Sequence, residues 1–212
     1  MPELFPINLD LSGRRTLVVG GGEVALRKVQ LLIAAGATVI VVSPQFCDGL
    51  KGLDGAERVA RPFDPADLKG CTLAIAATDQ PEVNRRVCEE ARLKGVLVNV
   101  VDKPALCDFY VAASIRRGRF CVAISTGGAS PALARRVRLG LEKTFPPVYA
   151  DFVDLLAELR GEVQQRIDDA KRRGEILGQL ASEEMLAVLE TQGLDAAREA
   201  ARELINRAAG EC

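Results

Sequence analysis

The stretch Arg15-Thr-Leu-Val-Val-Gly-Gly-Gly-Glu-Val-Ala-Leu-Arg-Lys28 passes from an apolar run through a triplet of glycines into helical spacing, and this pattern suits a dinucleotide. Gly20 permits a tight turn out of a strand, Gly22 lets the backbone approach a pyrophosphate, and Ala25 keeps helix and strand close. The first helical residues, Glu23 and Val24, then bring unpaired N–H groups and the positive end of a helix dipole to the phosphates. A glycine-rich turn of this kind also occurs in α/β proteins that bind nothing, so its surroundings decide what it means.

Those surroundings form an ordered series. Thr16 to Val19 reads as a buried parallel strand, and Ala25, Val29, Leu32 and Ile33 follow at helical intervals up to Gly36. Further strands are expected at Thr38 to Val42, Cys71 to Ala77 and Val96 to Val101, with a helix from Glu82 to Lys94 between the last two. Strands alternating with helices imply a right-handed parallel sheet whose ligands lie beyond the carboxyl ends of its strands. The residues that follow each strand are therefore the candidates for contact with a nucleotide: Ser43 and Pro44, Thr78 with Asp79, and Asn99 to Asp102. Ser43 takes the place where an acidic residue commonly binds the ribose 2′-hydroxyl, and the next basic residue is Lys51, which favours NAD over NADP.

Beyond Phe109 the pattern changes. Arg119 to Ile124 reads as a strand, and Ser125-Thr-Gly-Gly-Ala-Ser-Pro131 as a loop in which Ser130 caps a helix and Pro131 opens it. That helix carries Leu133, Val137 and Leu141 on one side and Arg135, Arg136 and Arg138 around it. It reads either as a packing helix with a solvated basic face or as an anion-binding surface beside Gly127 and Gly128. Pro146 and Pro147 should end it. A long helix bearing Phe152, Leu156, Leu159, Val163 and Ile167, a break at Gly174, and helices capped by Ser182 and Asp195 complete the chain, with no catalytic constellation among them.

Composition narrows the function classes. The 212 residues suffice for a real core in one domain or two small ones, and 28 basic against 29 acidic residues leave a net charge of −1. No global field draws the chain to nucleic acid or to an anionic membrane, so neither is expected as a partner. No apolar run has the length of a membrane span, and the start lacks a signal-peptide pattern, which makes a cytoplasmic protein the default expectation. Cys47, Cys71, Cys88, Cys107, Cys121 and Cys212 form no Cys-x-x-Cys pair and read as structural thiols rather than disulfides or metal ligands. The chain has no histidine, so proton transfer falls to carboxylates, lysines, tyrosines, cysteines or water, and no metal site is expected.

Taken together, Gly20-Gly-Gly-Glu-Val-Ala-Leu-Arg-Lys28, Ala76-Ala-Thr-Asp79, Asn99-Val-Val-Asp102 and Ser125-Thr-Gly-Gly-Ala-Ser-Pro131 resemble the siroheme-synthase family, in particular precorrin-2 dehydrogenase/sirohydrochlorin ferrochelatase. The likeness covers roughly residues 3 to 145, including the lead-in Leu4-Phe-Pro-Ile7. No methyltransferase domain follows, so the likeness is to the stand-alone enzyme. It implies an α/β fold: an NAD-binding Rossmann-like domain over residues 1–112, a β–α dimerisation region over 113–145, and a helical C-terminal domain over 146–212. It also implies oxidation of the tetrapyrrole precorrin-2 to sirohydrochlorin with NAD, in some members followed by insertion of Fe2+ as a second substrate, in an intertwined homodimer. The family's catalytic aspartate falls on Asp102 and its serine before the glycine pair on Ser125, which with Gly127, Gly128 and Arg135 forms the expected substrate side. The lack of histidine argues for oxidation as the main activity, with chelation weak or absent. Two other readings compete: an NAD-dependent dehydrogenase of another small molecule, and a non-enzymatic NAD-sensing module that needs no Asp102.

Overall fold

The computed structural model describes residues 3–210, and the chain divides into two compact units, one ending at Val111 and the other beginning at Ala112. The first unit is a five-stranded parallel sheet in the order β3-β2-β1-β4-β5, with β1 at Arg15–Val19, β2 at Thr38–Val42, β3 at Ala56–Val59, β4 at Leu73–Ala76 and β5 at Leu97–Val100. Helices α1 (Glu23–Ala34) and α3 (Pro81–Leu93) make the crossovers, and a short α2 (Asp48–Lys51) follows β2. Because β1, β2 and β4 are covered on both faces, nearly all their residues are apolar and buried. One face packs Val18, Val39, Val41 and Ile75 against Ala25, Val29 and Leu32 of α1. The opposite face packs Leu17, Val19, Ile40 and Ala74 against Val87, Cys88 and Ala91 of α3.

β3 was absent from the sequence reading, because Ala-Glu-Arg-Val shows neither an apolar run nor alternation; it is a half-exposed edge strand. The structure trims the fourth strand to Leu73–Ala76 and the fifth to Leu97–Val100.

The second unit opens with an antiparallel hairpin of β6 (Ala113–Arg117) and β7 (Phe120–Ile124). Arg119, expected to begin a strand, lies instead in the two-residue turn with Gly118, whose φ is +56°. Helix α4 (Pro131–Thr144) has the expected Ser130 cap, with Ser130 Oγ accepting from Leu133 N–H at 3.2 Å. Helices α5 (Tyr149–Arg166), α6 (Ala170–Leu180), α7 (Glu183–Gln192) and α8 (Leu194–Ala209) enclose their own core around Phe152, Leu159, Val163, Leu180 and Ile205.

Two helix boundaries correct the sequence reading. Gly174 lies inside α6 rather than at a break; the interruption comes at Ile167, which is extended, and Asp169 caps the next helix by accepting from Arg172 N–H at 2.7 Å. An interior glycine costs a helix only about 1 kcal/mol, which the buried Ile176 and Leu180 offset. Gly193, with φ +89°, stands before α8, so Asp195 belongs to its first turn rather than to its cap. Leu155, rather than Leu156, is the fully buried member of its pair. Ser182 caps α7 as expected.

Candidate active site

The carboxyl ends of β1, β2, β4 and β5 open onto a cleft of about 1090 Å³. Gly20, Gly22, Glu23, Val24, Ser43, Pro44, Thr78 and Asp102 all line it, brought together from positions far apart in the chain. At its floor Gly20 has φ +134°, and a Cβ there would stand 2.3 Å from the Ala77 carbonyl oxygen. Gly20 therefore serves both the turn and the close packing of β1 against the chain leaving β4. Gly22 differs: a Cβ there would meet nothing within 4 Å, because it faces the open cleft. It also precedes α1 with no side chain capping that helix, so the first-turn N–H groups at Glu23 and Val24 have no side-chain acceptor at the cap. Space beside a glycine and an uncapped helix start is a fitting cradle for a pyrophosphate.

Gly21 was missed as a constrained position. A Cβ on it would fall 1.8 Å from the Gln45 carbonyl oxygen and 2.7 Å from Ser43 Oγ, so the loop after β2 can close over the glycine turn only if Gly21 has no side chain. The Gly21 carbonyl accepts from Cys47 N–H at 2.7 Å and ties the two loops together. Gln45, Phe46, Cys47, Pro62 and Phe63 also line the cleft. No motif marked them; Pro62 and Phe63 reach it because β3 brings that segment back to the sheet.

Two of the expected nucleotide contacts stand outside the lining. Ala25 is fully buried under α1, where it permits the close helix–strand approach. Asn99 is buried too, and its amide donates to the Phe109 carbonyl at 2.9 Å, so it holds the chain after β5 rather than facing the cleft. Thr78 does line the cleft, but its hydroxyl is engaged by the Asn84 carboxamide oxygen at 2.8 Å, and Asn84 Nδ2 donates back to the Thr78 carbonyl at 2.9 Å. A buried Asn84 in the first turn of α3 thus fixes the loop after β4.

Asp102 is the sole non-glycine among the described residues with a positive φ, +59°, and its side chain is exposed. Aspartate tolerates this conformation better than most side chains, and such outliers concentrate where function constrains the backbone. Half-buried Lys28 of α1 feels this carboxylate: burial pushes its ammonium below the usual lysine range, as does Arg27, while Asp102 pulls it back up. The cleft lining is acidic, with Glu23, Asp79 and Asp102 and no lysine or arginine.

The substrate-side candidates lie in the second unit. Ser125 Oγ accepts from Gly127 N–H at 3.2 Å and Thr126 Oγ1 from Ser130 N–H at 3.0 Å, while Gly127 and Gly128 take φ of +61° and +83°. This loop is preshaped and leads into α4, where Arg135 is exposed. Among the described residues no cluster of carboxylates and thiols is arranged to hold a metal ion. The described cysteines are all free thiols; Cys212 lies outside the described residues. No helix of the described residues is long and apolar enough to cross a membrane.

Comparison with known proteins adds to this geometry. Residues 7–113 match the family model described as putative NAD(P)-binding, and residues 117–143 match that of the sirohaem biosynthesis protein central region. A siroheme synthase of Pseudomonas fluorescens (strain SBW25) is 44% identical over 174 residues, covering 81% of this chain and 38% of that protein. A siroheme synthase of Thioalkalivibrio sulfidiphilus (strain HL-EbGR7) is 42% identical over 200 residues, covering 93% of this chain and 41% of that protein. The chain therefore spans about two fifths of the length of these relatives. Among solved structures, SirC, a precorrin-2 dehydrogenase, superposes with a TM-score of 0.76 at 26% identity, over 96% of this chain and all of that one.

Proposed function

This chain belongs to the siroheme-synthase family, and from that premise we propose that it oxidises precorrin-2 to sirohydrochlorin with NAD. The observation that carries the reading is one cleft lined both by an uncapped, glycine-lined helix start and by Asp102 of the turn that follows β5. NAD supplies a hydride acceptor. The chain's own residues do the rest: the N–H groups at the start of α1 bind phosphate, Gly22 leaves room for it, and Asp102 takes the proton that leaves precorrin-2 alongside the hydride. The loss of one hydride and one proton accounts for both hydrogens removed. Arg135 and Arg136 of α4 offer cations to the acetate and propionate groups of the tetrapyrrole, with Ser125, Gly127 and Gly128 in the loop that leads into that helix, whereas Arg138 pairs with Glu142.

The choice of NAD over NADP rests on the absence of any lysine or arginine from the cleft lining. The charged side chains of that lining are the carboxylates Glu23, Asp79 and Asp102, which offer a 2′-phosphate no cation. The next bases downstream of Ser43 are engaged elsewhere: Lys51 with Asp48 at 2.7 Å, Arg58 with the Leu50 and Leu53 carbonyls at 3.1 and 2.6 Å, and Arg61 with Asp67. Iron insertion, with Fe2+ as a substrate, is weak or absent in this reading, because stripping water from the ion and removing two pyrrole protons would fall to Asp102 without an imidazole. The protein acts as a homodimer in the cytoplasm, and the pairing draws on the region from Phe109 to Thr144, where Leu133, Val137 and Leu139 are exposed.

Anaerobic incubation with precorrin-2 and NAD, with spectra recorded before and after Fe2+ is added, tests these assignments. NADH and sirohydrochlorin should form together in the first phase, and the second should barely exceed a no-enzyme control. Failure to form NADH would overturn the assigned oxidation, and a large enzyme-dependent second phase would make the protein bifunctional.

A further inference from the structure

β5 is the last strand of the sheet, so one of its edges has no neighbouring strand. The N–H groups of Leu97 and Val101 face β4, bonding the carbonyls of Thr72 and Ala76 at 3.3 and 3.0 Å. Those of Val98 and Val100 therefore point outward, where an open edge would be left to solvent or to a foreign strand. The chain returning after Asp102 occupies all of these groups. Asp108 Oδ2 accepts from Val98 N–H at 3.1 Å, and Asp108 N–H donates to the Val98 carbonyl at 2.8 Å. The thiol of Cys107 accepts from Val100 N–H at 3.3 Å and lies 3.2 Å from the Val100 carbonyl and 3.4 Å from the Lys103 carbonyl, to either of which it can donate. Arg92 of α3 anchors the arrangement through Asp108 Oδ1, with Nη2 at 3.0 Å and Nε at 3.2 Å.

Between the two ends of this clip lies the turn in which Lys103 N–H donates to the Val100 carbonyl at 3.2 Å and Asp102 takes its φ of +59°. We propose that Cys107 and Asp108 are positioning residues for Asp102: by closing the outer edge of β5 they hold the Val100–Lys103 turn that presents the carboxylate to the cleft. The role falls to a neutral thiol, since burial pushes the Cys107 thiol up and keeps its proton available to the carbonyls. Neither residue lines the cleft, so neither touches the reacting atoms. This inference rests on the reading of Asp102 as the proton acceptor.

Cys107→Ala leaves Val100 N–H without its partner, whereas Cys107→Ser offers a hydroxyl that donates and accepts along the same edge. For precorrin-2 oxidation, Cys107→Ala should lower kcat by about 10- to 100-fold, the size of loss that follows a misplaced reacting group. The KM for NAD should stay within about twofold, and Cys107→Ser should recover most of kcat. In an Asp102→Asn background the alanine change should cost less than about threefold, because two residues serving one step are not additive. Independently of activity, hydrogen exchange at the Val100 and Lys103 amides should accelerate by about tenfold or more in Cys107→Ala and return toward the parent rate in Cys107→Ser, with the Leu26 amide unchanged. Full kcat in Cys107→Ala, or an equal loss in the Asp102→Asn background, would overturn the proposal. So would a parallel fall in kcat, NAD affinity and melting temperature, the mark of general damage. Should the parent protein fail to oxidise precorrin-2, the functional reading fails by itself and the exchange rates alone judge the clip, unchanged rates overturning it.

Discussion

Two kinds of glycine, Gly20 and Gly22, share the turn after β1, and they predict opposite phenotypes. Gly20→Ala drives a Cβ to 2.3 Å from the Ala77 carbonyl oxygen at a positive φ, so the loss appears as stability, about 2–4 kcal/mol by denaturant titration. Gly22→Val should leave unfolding nearly unchanged, since nothing stands within 4 Å of its Cβ, and should instead weaken NAD by at least about tenfold in a binding titration. An undiminished NAD affinity in Gly22→Val would mean that the pyrophosphate does not lie there. Asp102→Asn preserves shape and removes a proton acceptor. Oxidation should fall by about 10²- to 10⁴-fold with NAD affinity retained, and near-normal turnover would remove Asp102 from the reaction.

Each connecting segment of the sheet is held by its own device, and these devices set how acid acts on the fold. Asp67, buried in the 3-10 turn Pro65–Leu68, accepts from both Arg61 Nη1 and Nη2 and from Asp64 N–H at 2.9 Å. The hydrogen-bonded Arg61 guanidinium, with the backbone donor of Asp64 and the charge of Arg15, holds the Asp67 carboxyl below the usual carboxylate range against the opposing effect of burial. Because the folded value is depressed, the carboxylate stabilises the fold at every pH above its unfolded value and loses that contribution as pH falls through the folded one. Asp67→Asn should therefore lower the melting temperature by about 2–4 °C at pH 7, and the gap from the parent should narrow below about pH 4. A gap that persists unchanged in acid would show that Asp67 acts through packing rather than charge. The second unit has a comparable local logic: Phe120, Phe145 and Tyr149 cluster with ring centroids 5.0–5.3 Å apart and join the hairpin to the start of α5.

For the molecule as a whole, the apolar surface left over bears most on assembly. Leu133, Val137 and Leu139 on α4 stand 38–47% exposed, although α4 also packs on β6 and β7 through Ala134. Leu133 and Val137, one turn apart, share a face, with Leu139 on another side of the helix, and that exposed pair is consistent with the proposed pairing of two copies through the region from Phe109 to Thr144. Sedimentation should give a dimer mass for the parent and a monomer mass for Val137→Glu, with the far-ultraviolet circular dichroism of the two alike. A fully active monomeric parent would contradict the pairing.

How much of this was legible in the sequence depended on how local each determinant was. The parallel strands β1, β2, β4 and β5, the crossover helices and the Ser130 and Ser182 caps could be read because apolar runs, helical spacing and capping chemistry are properties of a few consecutive residues. Gly20, Gly22, Ser43, Thr78 and Asp102 could be named because strand ends mark the ligand side of a parallel sheet. β3 escaped notice because its residues are ordinary and only pairing with β2 makes them a strand. Gly21 went unmarked and Asn99 was taken for a cleft contact for the same reason: whether a position faces the cleft, the Gln45 carbonyl or the Phe109 carbonyl depends on segments 10 to 24 residues away. The local pattern alone determined the order of elements and the kind of ligand they suit. Which groups are free to meet that ligand, and which are consumed in holding β5 and its turn, was decided only in three dimensions, because hydrogen-bond partners are allotted by the folded sheet and not by neighbours in the chain.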